Sequence, residues 1–365
     1  MDPASKFGVG ISFSLIIFAG LTLNGILFIV YSRRKQLRQP TKYFLVNLAV
    51  VDIISAVLWT SFSAVSAFMG SWEFTTTICQ LQEFAMSFCF LVNMHTFMIL
   101  ALERCLFLMK PSRHREICIN TIVVIVIVSL WIFDGIISIF PFTGWGEITF
   151  FEEQFQCSMD TEKNTRQMKF ATAIGVGIPF IVMIVAYILI VVKIRLLQRA
   201  NPQGGQIILE QDDFANGDSY AARLRRQQLK FQNVGLKKKK PVLGLKTDDN
   251  GYARDESSDD EKDASDNGNV KNTYFLYNSD VAIIKTYALI SGIYLLLWLP
   301  YIIVTYILTY DRFHSIPDPV FYVFVIFTHS TALVKPLIYV IQNGNFRSHL
   351  KRTFKKNEYR DFGRY

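Results

Sequence analysis

Apolar residues along this chain gather into long uninterrupted runs separated by clusters of charge. A helix needs about 20 predominantly apolar residues to cross about 30 Å of hydrocarbon. Seven runs reach that length, near residues 7–31, 43–68, 78–109, 121–142, 170–194, 281–308 and 320–341. The pattern predicts an all-α membrane protein, a bundle of seven transmembrane helices. Only residues 1–6 precede the first run, with no small-residue cleavage site after a short apolar core, so the first helix is expected to act as its own insertion signal. A short amphipathic helix is expected near residues 345–355. Phe346 and Leu350 would face lipid there, and Arg347, Lys351 and Arg352 the headgroups. The organisation read from the pattern is an extracellular N-terminus (1–6), a seven-span domain (7–342), and an amphipathic helix with a cytoplasmic tail (343–365).

Composition agrees with the pattern: 51% hydrophobic, 14% aromatic and only 19% charged residues do not describe a soluble protein. The net charge of +8 matters less than where it sits. Arg33, Arg34, Lys35, Arg38 and Lys42 follow the first run, Lys110, Arg113 and Arg115 the third, and Arg347, Lys351, Arg352, Lys355 and Lys356 the seventh. The alternate loops carry Glu73, Glu147, Glu152, Glu153, Asp160 and Glu162. Short cytoplasmic loops concentrate Lys and Arg, so the N-terminus is expected outside and the C-terminus inside the plasma membrane. A membrane protein with its bases in these loops gives no support to a nucleic-acid partner.

The one long connector, about 196–279, changes from basic (Lys237–Lys240) to acidic (248–266). It reads as disordered, either a solvated linker or a segment whose basic half meets anionic lipid. Ser257 and Ser258 precede Asp259, Asp260 and Glu261, a pattern that acidophilic kinases accept. Of the five cysteines, Cys89, Cys105 and Cys118 lie in or beside apolar stretches, where a buried thiol is expected. That leaves Cys79 and Cys157 to consider as a pair.

Polar residues inside spans are costly in lipid and mark function. Here they form an ordered series: Asn24-Gly25, then Asn47-Leu48-Ala49-Val50-Val51-Asp52, Glu103-Arg104-Cys105, Trp131, Pro179 with Tyr187, Trp298-Leu299-Pro300-Tyr301, and Lys335-Pro336-Leu337-Ile338-Tyr339. The series resembles the rhodopsin-like, class A, G protein-coupled receptors, over the whole chain apart from the third cytoplasmic loop. The resemblance implies a Cys79–Cys157 disulfide that pins the second outer loop over the bundle. It also implies a cytoplasmic latch in which Arg104 pairs with Glu103 and with Asp280 at the base of the sixth helix. Breaking that latch would swing the sixth helix outward, with Tyr187 and Tyr339 stabilising the open form and Pro336 a hinge.

Two departures from the family pattern change the expected chemistry. Lys335 stands where the family has Asn or Asp before the proline. In the family that position and the one held by Asp52 flank a sodium ion, and Asn24, Asn93 and Thr331 complete the polar network. Lys335 would either supply its ammonium as a tethered counter-ion for Asp52 or snorkel to the cytoplasmic surface. Within the family, Phe327-Thr328-His329-Ser330-Thr331-Ala332 before Lys335-Pro336 is most similar to opsins, and His329 is the second departure. Opsins carry the retinal-attachment lysine there, and imidazole cannot form a Schiff base. No cofactor is therefore expected, and covalent retinal least of all. Asp134, mid-span in the fourth run, needs a partner, and His95 is the candidate.

The aminergic branch of the family holds its ligand with an aspartate at the position of Met86, which argues against an amine. The positions that line the outer cavity by resemblance, Met86, Ser87, Phe90, Trp298, Tyr301, Ile302, Thr305 and His329, with Ala171 and Gly175, describe an apolar, aromatic pocket. The resulting expectation is a receptor that converts binding of an uncharged or apolar small ligand into heterotrimeric G protein activation. Membrane lipids, arrestin and receptor kinases are its further expected partners. A light sensor holding retinal non-covalently is one rival. An ion or proton transporter using Asp52, Lys335 and Asp134 is the other. No phosphate loop, metal-spaced His/Cys cluster or nucleophile motif suggests an enzyme.

Overall fold

The computed structural model describes residues 3–33, 41–143, 147–160, 169–170, 172–200, 207–209, 274–276, 278–310, 318–342, 347 and 350. The chain divides into two units, Met1–Ile207 with Leu276–Tyr365, and Ile208–Phe275. The first unit contains seven helices long and apolar enough to cross a membrane: Ala4–Ser32, Lys42–Met69, Thr76–Met109, Asn120–Thr143, Ala173–Arg199, Asp280–Ile307 and Val320–Gln342. They are called the first to seventh spans below. Of the second unit only residues 208–209 and 274–275 are described, within the short strands Ile207–Leu209 and Tyr274–Leu276. The charge reversal at 237–266 and the serines at 257–258 lie outside the described residues.

Local chemistry sets the helix ends. Gly70 closes the second span with a left-handed backbone (φ 76°) that returns its N–H to the Ser66 carbonyl at 2.8 Å, a conformation glycine adopts without a Cβ clash. Thr75 caps the third span by accepting the Ile78 N–H on its hydroxyl. Pro111 opens a short helix, Pro111–Ile117, at a position where its missing N–H removes nothing. The fifth-span helix runs to Ala200, past the limit of 194 that its apolar run suggests. Lys193, Arg195 and Arg199 are good helix formers, so helicity outlasts the apolar composition.

Two spans contain a π-helical turn, Ala56–Thr60 in the second and Ala173–Gly177 in the fifth. Such a turn inserts one extra residue and rotates the side chains beyond it. In the second span it leaves both Trp59 and Thr60 buried. Proline interrupts the hydrogen-bond ladder at Pro300 and Pro336 inside the sixth and seventh spans.

Packing is uneven, as a lipid-facing bundle requires. Two-thirds of the third span's apolar window is buried (67%), against 22% in the fourth, so the third span is the axis of the bundle. Phe18, Leu15, Leu296 and Ile341 lie on the outside, where lipid supplies the apolar contact. Between the fourth and fifth spans, β1 (Ile148–Phe151) and β2 (Gln156–Met159) pair antiparallel, Phe150 opposite Cys157. The turn between them holds Phe155 at φ 52°, a strained backbone for a bulky residue. Its ring is buried and stacks on Tyr322 at 5.4 Å, which offsets that strain. Of the expected amphipathic helix only Arg347 and Leu350 are described. Arg347 donates to the Ile341 carbonyl at 3.0 Å, and Leu350 packs on the core.

Candidate functional site

The hairpin is fastened across one end of the bundle. Cys157 in β2 forms a disulfide with Cys79 at the start of the third span. Gln82, one turn further along, accepts the Cys157 N–H at 2.7 Å and donates to the Trp59 carbonyl and the Ser63 hydroxyl. Trp59 in turn donates to the Gln156 side chain at 2.8 Å, and the Tyr301 hydroxyl donates to Gln154 at 3.0 Å. The hairpin amides Gln154 and Gln156 were not singled out from the sequence, where glutamine in a loop carries no distinguishing signal.

Beneath the hairpin a cavity lies among the third, fourth, fifth and sixth spans and β2, with about 960 Å³ of empty space including the part open to solvent. Met86, Ser87, Phe90, Trp298, Tyr301, Ile302 and Thr305 line it together. His329 does not. It is 1% exposed, stacked on Trp59 at 4.0 Å and hydrogen-bonded to Thr60 at 3.0 Å. Trp59 stacks in turn on Trp298, so His329 meets the cavity only through two indoles. The π-turn that buries Trp59 and Thr60 decides this, and no sequence pattern announced it. Gly175 is buried against Leu91 and Phe90 without joining the lining, and Ala171 lies outside the described residues.

The lining includes one residue that sequence reasoning missed, Glu83. It precedes Met86 by three positions and Ser87 by four, so all share one face of the third span. That spacing, with a carboxylate in an apolar run, was the available signal.

Midway along the bundle, Lys335 donates to Asp52 at 2.6 Å and to Asn93 at 2.7 Å. Lys335 and Asp52 are 3% and 2% exposed, so the ammonium is buried and does not snorkel. Asn24 bonds instead to the Gly20 and Ala332 carbonyls, tying the first span to the seventh, and Thr331 bonds to the Thr328 carbonyl. Trp131 donates to Asn47 at 2.7 Å, and Asn47 to Thr96 at 3.0 Å. His95 and Asp134 meet at 2.7 Å, a pairing that joins the third and fourth spans.

At the end opposite the disulfide, Glu103 holds Arg104 through both carboxylate oxygens. His114, in the short helix after the span, also bonds Glu103 at 2.6 Å, a third partner that the sequence did not suggest. The Arg104 guanidinium lies over Tyr287 of the sixth span at 6.0 Å, and Asp280 acts on it electrostatically. Tyr339 lies edge-on to Tyr31 and within 6.3 Å of Tyr287, while Tyr187 meets Ser291 at 3.3 Å. Spans three, five, six and seven therefore converge on one polar end.

The model of the family described as 7 transmembrane receptor (rhodopsin family) matches residues 23–339. Among curated proteins, the chain is 31% identical over 194 residues to the Gq-coupled rhodopsin of Mizuhopecten yessoensis, covering 51% of this chain and 38% of that protein. It is 22% identical to the alpha-1D adrenergic receptor of Rattus norvegicus over 94% of this chain and 56% of the receptor. The chain thus spans about half or less of the length of these relatives. Squid rhodopsin shares the fold, with a TM-score of 0.72 at 18% identity, covering 97% of this chain and 87% of that one.

The residues present do not fit a covalently attached retinal. Among the described residues no lysine lines the cavity, His329 lies behind Trp59, and Lys335 is held by Asp52 and Asn93.

Proposed function

Because the chain belongs to the rhodopsin family of seven-transmembrane receptors, we propose that it converts occupancy of the cavity beneath the hairpin into activation of a heterotrimeric G protein. The family is one of receptors, not enzymes. The ligand is a small molecule, apolar over most of its surface, that enters from outside the cell, and the Arg104 end faces the cytosol. The observation that carries this reading is the buried Arg104, clamped by Glu103 and set against Tyr287, at the far end of the same helices that line the cavity. The scallop relatives are Gq-coupled and G0-coupled by name, which supports a G protein as partner.

A ligand against Trp298 and Tyr301 touches the sixth span beside Pro300, where the helical ladder is already interrupted. Displacement there moves Tyr287 and Asp280 away from Arg104 and opens a groove at the cytosolic end. Tyr187 and Tyr339 close around the opened form. Lys335 takes the place of a mobile cation beside Asp52 and holds the middle of the bundle in register.

The test is ligand-free G protein activation in cells, comparing the wild type with Asp280→Ala and Lys335→Asn across G protein subtypes. Asp280→Ala is expected to raise the signal for one subtype. Losing about 1–2 kcal/mol from the latch changes the open-to-closed ratio by about 5–30-fold. Silence in every variant at confirmed surface expression would sink the receptor reading and direct attention to proton flux through Asp52, Lys335 and Asp134.

A further inference from the structure

Four carboxylates are buried among the described residues: Asp52, Glu83, Glu103 and Asp134. Three of them have a basic partner. Asp52 has Lys335, Glu103 has Arg104 and His114, and Asp134 has His95. Glu83 is the exception: it is 4% exposed, and its Oε2 has no hydrogen-bond partner. It lines the cavity, and among the described residues no Lys, Arg or His shares that lining. A carboxylate withdrawn from water without a counter-charge is among the most costly groups a protein can hold. Such a carboxyl group either takes up a proton or gains a counter-charge, and the space that Glu83 faces is the cavity beneath the hairpin.

We infer that the ligand is a cationic amine whose ammonium pairs with Glu83 while its apolar body fills the space between Met86 and Trp298. The surroundings suit that partner. Phe90, Phe140, Phe170, Trp298 and Tyr301 bring aromatic rings to the same cavity, and ring faces attract an ammonium as well as an apolar or aromatic body. Ser87 and Ser158 line it too and offer hydroxyls to the remaining N–H groups. The expectation of an uncharged ligand rested on Met86 and on an apolar, aromatic lining that did not include Glu83. Glu83 supplies a negative charge to the same cavity one turn closer to the hairpin. This inference rests on the cavity being the ligand site and names the ligand's chemical class.

The test uses the purified full-length chain in lipid nanodiscs and matched probes that differ only at the charge: tryptamine against indole-3-ethanol, and 2-phenylethylamine against 2-phenylethanol. Binding is read by thermal stabilisation over a concentration series, with no G protein present. At least one amine is expected to stabilise the wild type at concentrations where its alcohol does nothing. Glu83→Gln keeps the side-chain volume and removes the charge, and it is expected to weaken that amine about thirtyfold or more. Glu83→Asp is expected to retain part of the affinity. Amines that act no better than their alcohols on the wild type would overturn the inference, whatever the variants do. Equal amine binding by Glu83→Gln would also overturn it and assign Glu83 as a neutral hydrogen-bonding group. Amine binding by a protein that activates no G protein would uphold this inference and refute the signalling proposal separately.

Discussion

The Lys335–Asp52 pair lends itself to a double-mutant cycle. Both groups are almost fully buried, and the ammonium contacts Asp52 at 2.6 Å and Asn93 at 2.7 Å. Replacing Lys335 by methionine preserves most of the chain length and leaves the Asp52 charge stranded. Breaking a buried pair from one side costs about 3–5 kcal/mol. Asp52→Asn strands the ammonium and is expected to cost a similar amount. The double variant leaves no unpaired charge and loses mainly the hydrogen bond to Asn93, about 1 kcal/mol. The two single losses therefore sum to about 6 kcal/mol or more, against about 1–2 for the double, a coupling of several kcal/mol. Thermal unfolding of the purified protein measures this, read as midpoint shifts at fixed detergent and lipid. A second arm replaces sodium by choline at constant ionic strength. The wild type is expected to be indifferent, because its cation is tethered, whereas Lys335→Asn frees Asp52 for a sodium ion and is expected to gain stability from it. Additive single losses, or a wild type stabilised by sodium as much as Lys335→Asn, would refute the tethered-cation reasoning.

Two further expectations concern the ends of the bundle. Burial pushes the Cys118 thiol, in the connection after the third span, up to about 11, with the Glu103 charge adding to the effect. A raised value means less thiolate at neutral pH, so maleimide labelling of Cys118 in a variant lacking Cys89 and Cys105 is expected to be slow at pH 7. Its rate should then rise about tenfold per pH unit up to pH 10; a rate that levels off near pH 8–9, as for a free thiol, contradicts it. At the other end, the Cys79–Cys157 bridge closes a loop of 78 residues, for which chain entropy gives about 4–5 kcal/mol of stabilisation. Cys79→Ser is expected to reach the surface poorly and to unfold well below the wild type in a detergent melt, and an unchanged midpoint would show that the hairpin is held by Gln82, Gln156 and Tyr301 alone.

The hydrophobic pattern by itself determined that seven helices cross a membrane, because a polar backbone in hydrocarbon leaves a long apolar run only the helical solution. Short motifs at fixed places along those runs carried the family resemblance, and with it the disulfide and the Glu103–Arg104 latch. The pattern could also nominate Lys335 and Asp52, or His95 and Asp134, as intramembrane charges in need of partners. It could not say which would meet, since Lys335 and Asp52 are 283 residues apart along the chain and Lys335 had an alternative at the cytoplasmic surface. Tertiary structure decided that pairing, and it decided the cavity. A π-turn in the second span placed Trp59 between His329 and the ligand space, removing a residue that position alone had put there. The rotation of the third span turned Glu83 into that space. One-per-helix motifs record which residues a span contains. Whether a side chain faces lipid, a neighbouring helix or a cavity depends on how each helix is rotated and on the helices packed against it, and that is settled only when all seven spans pack together.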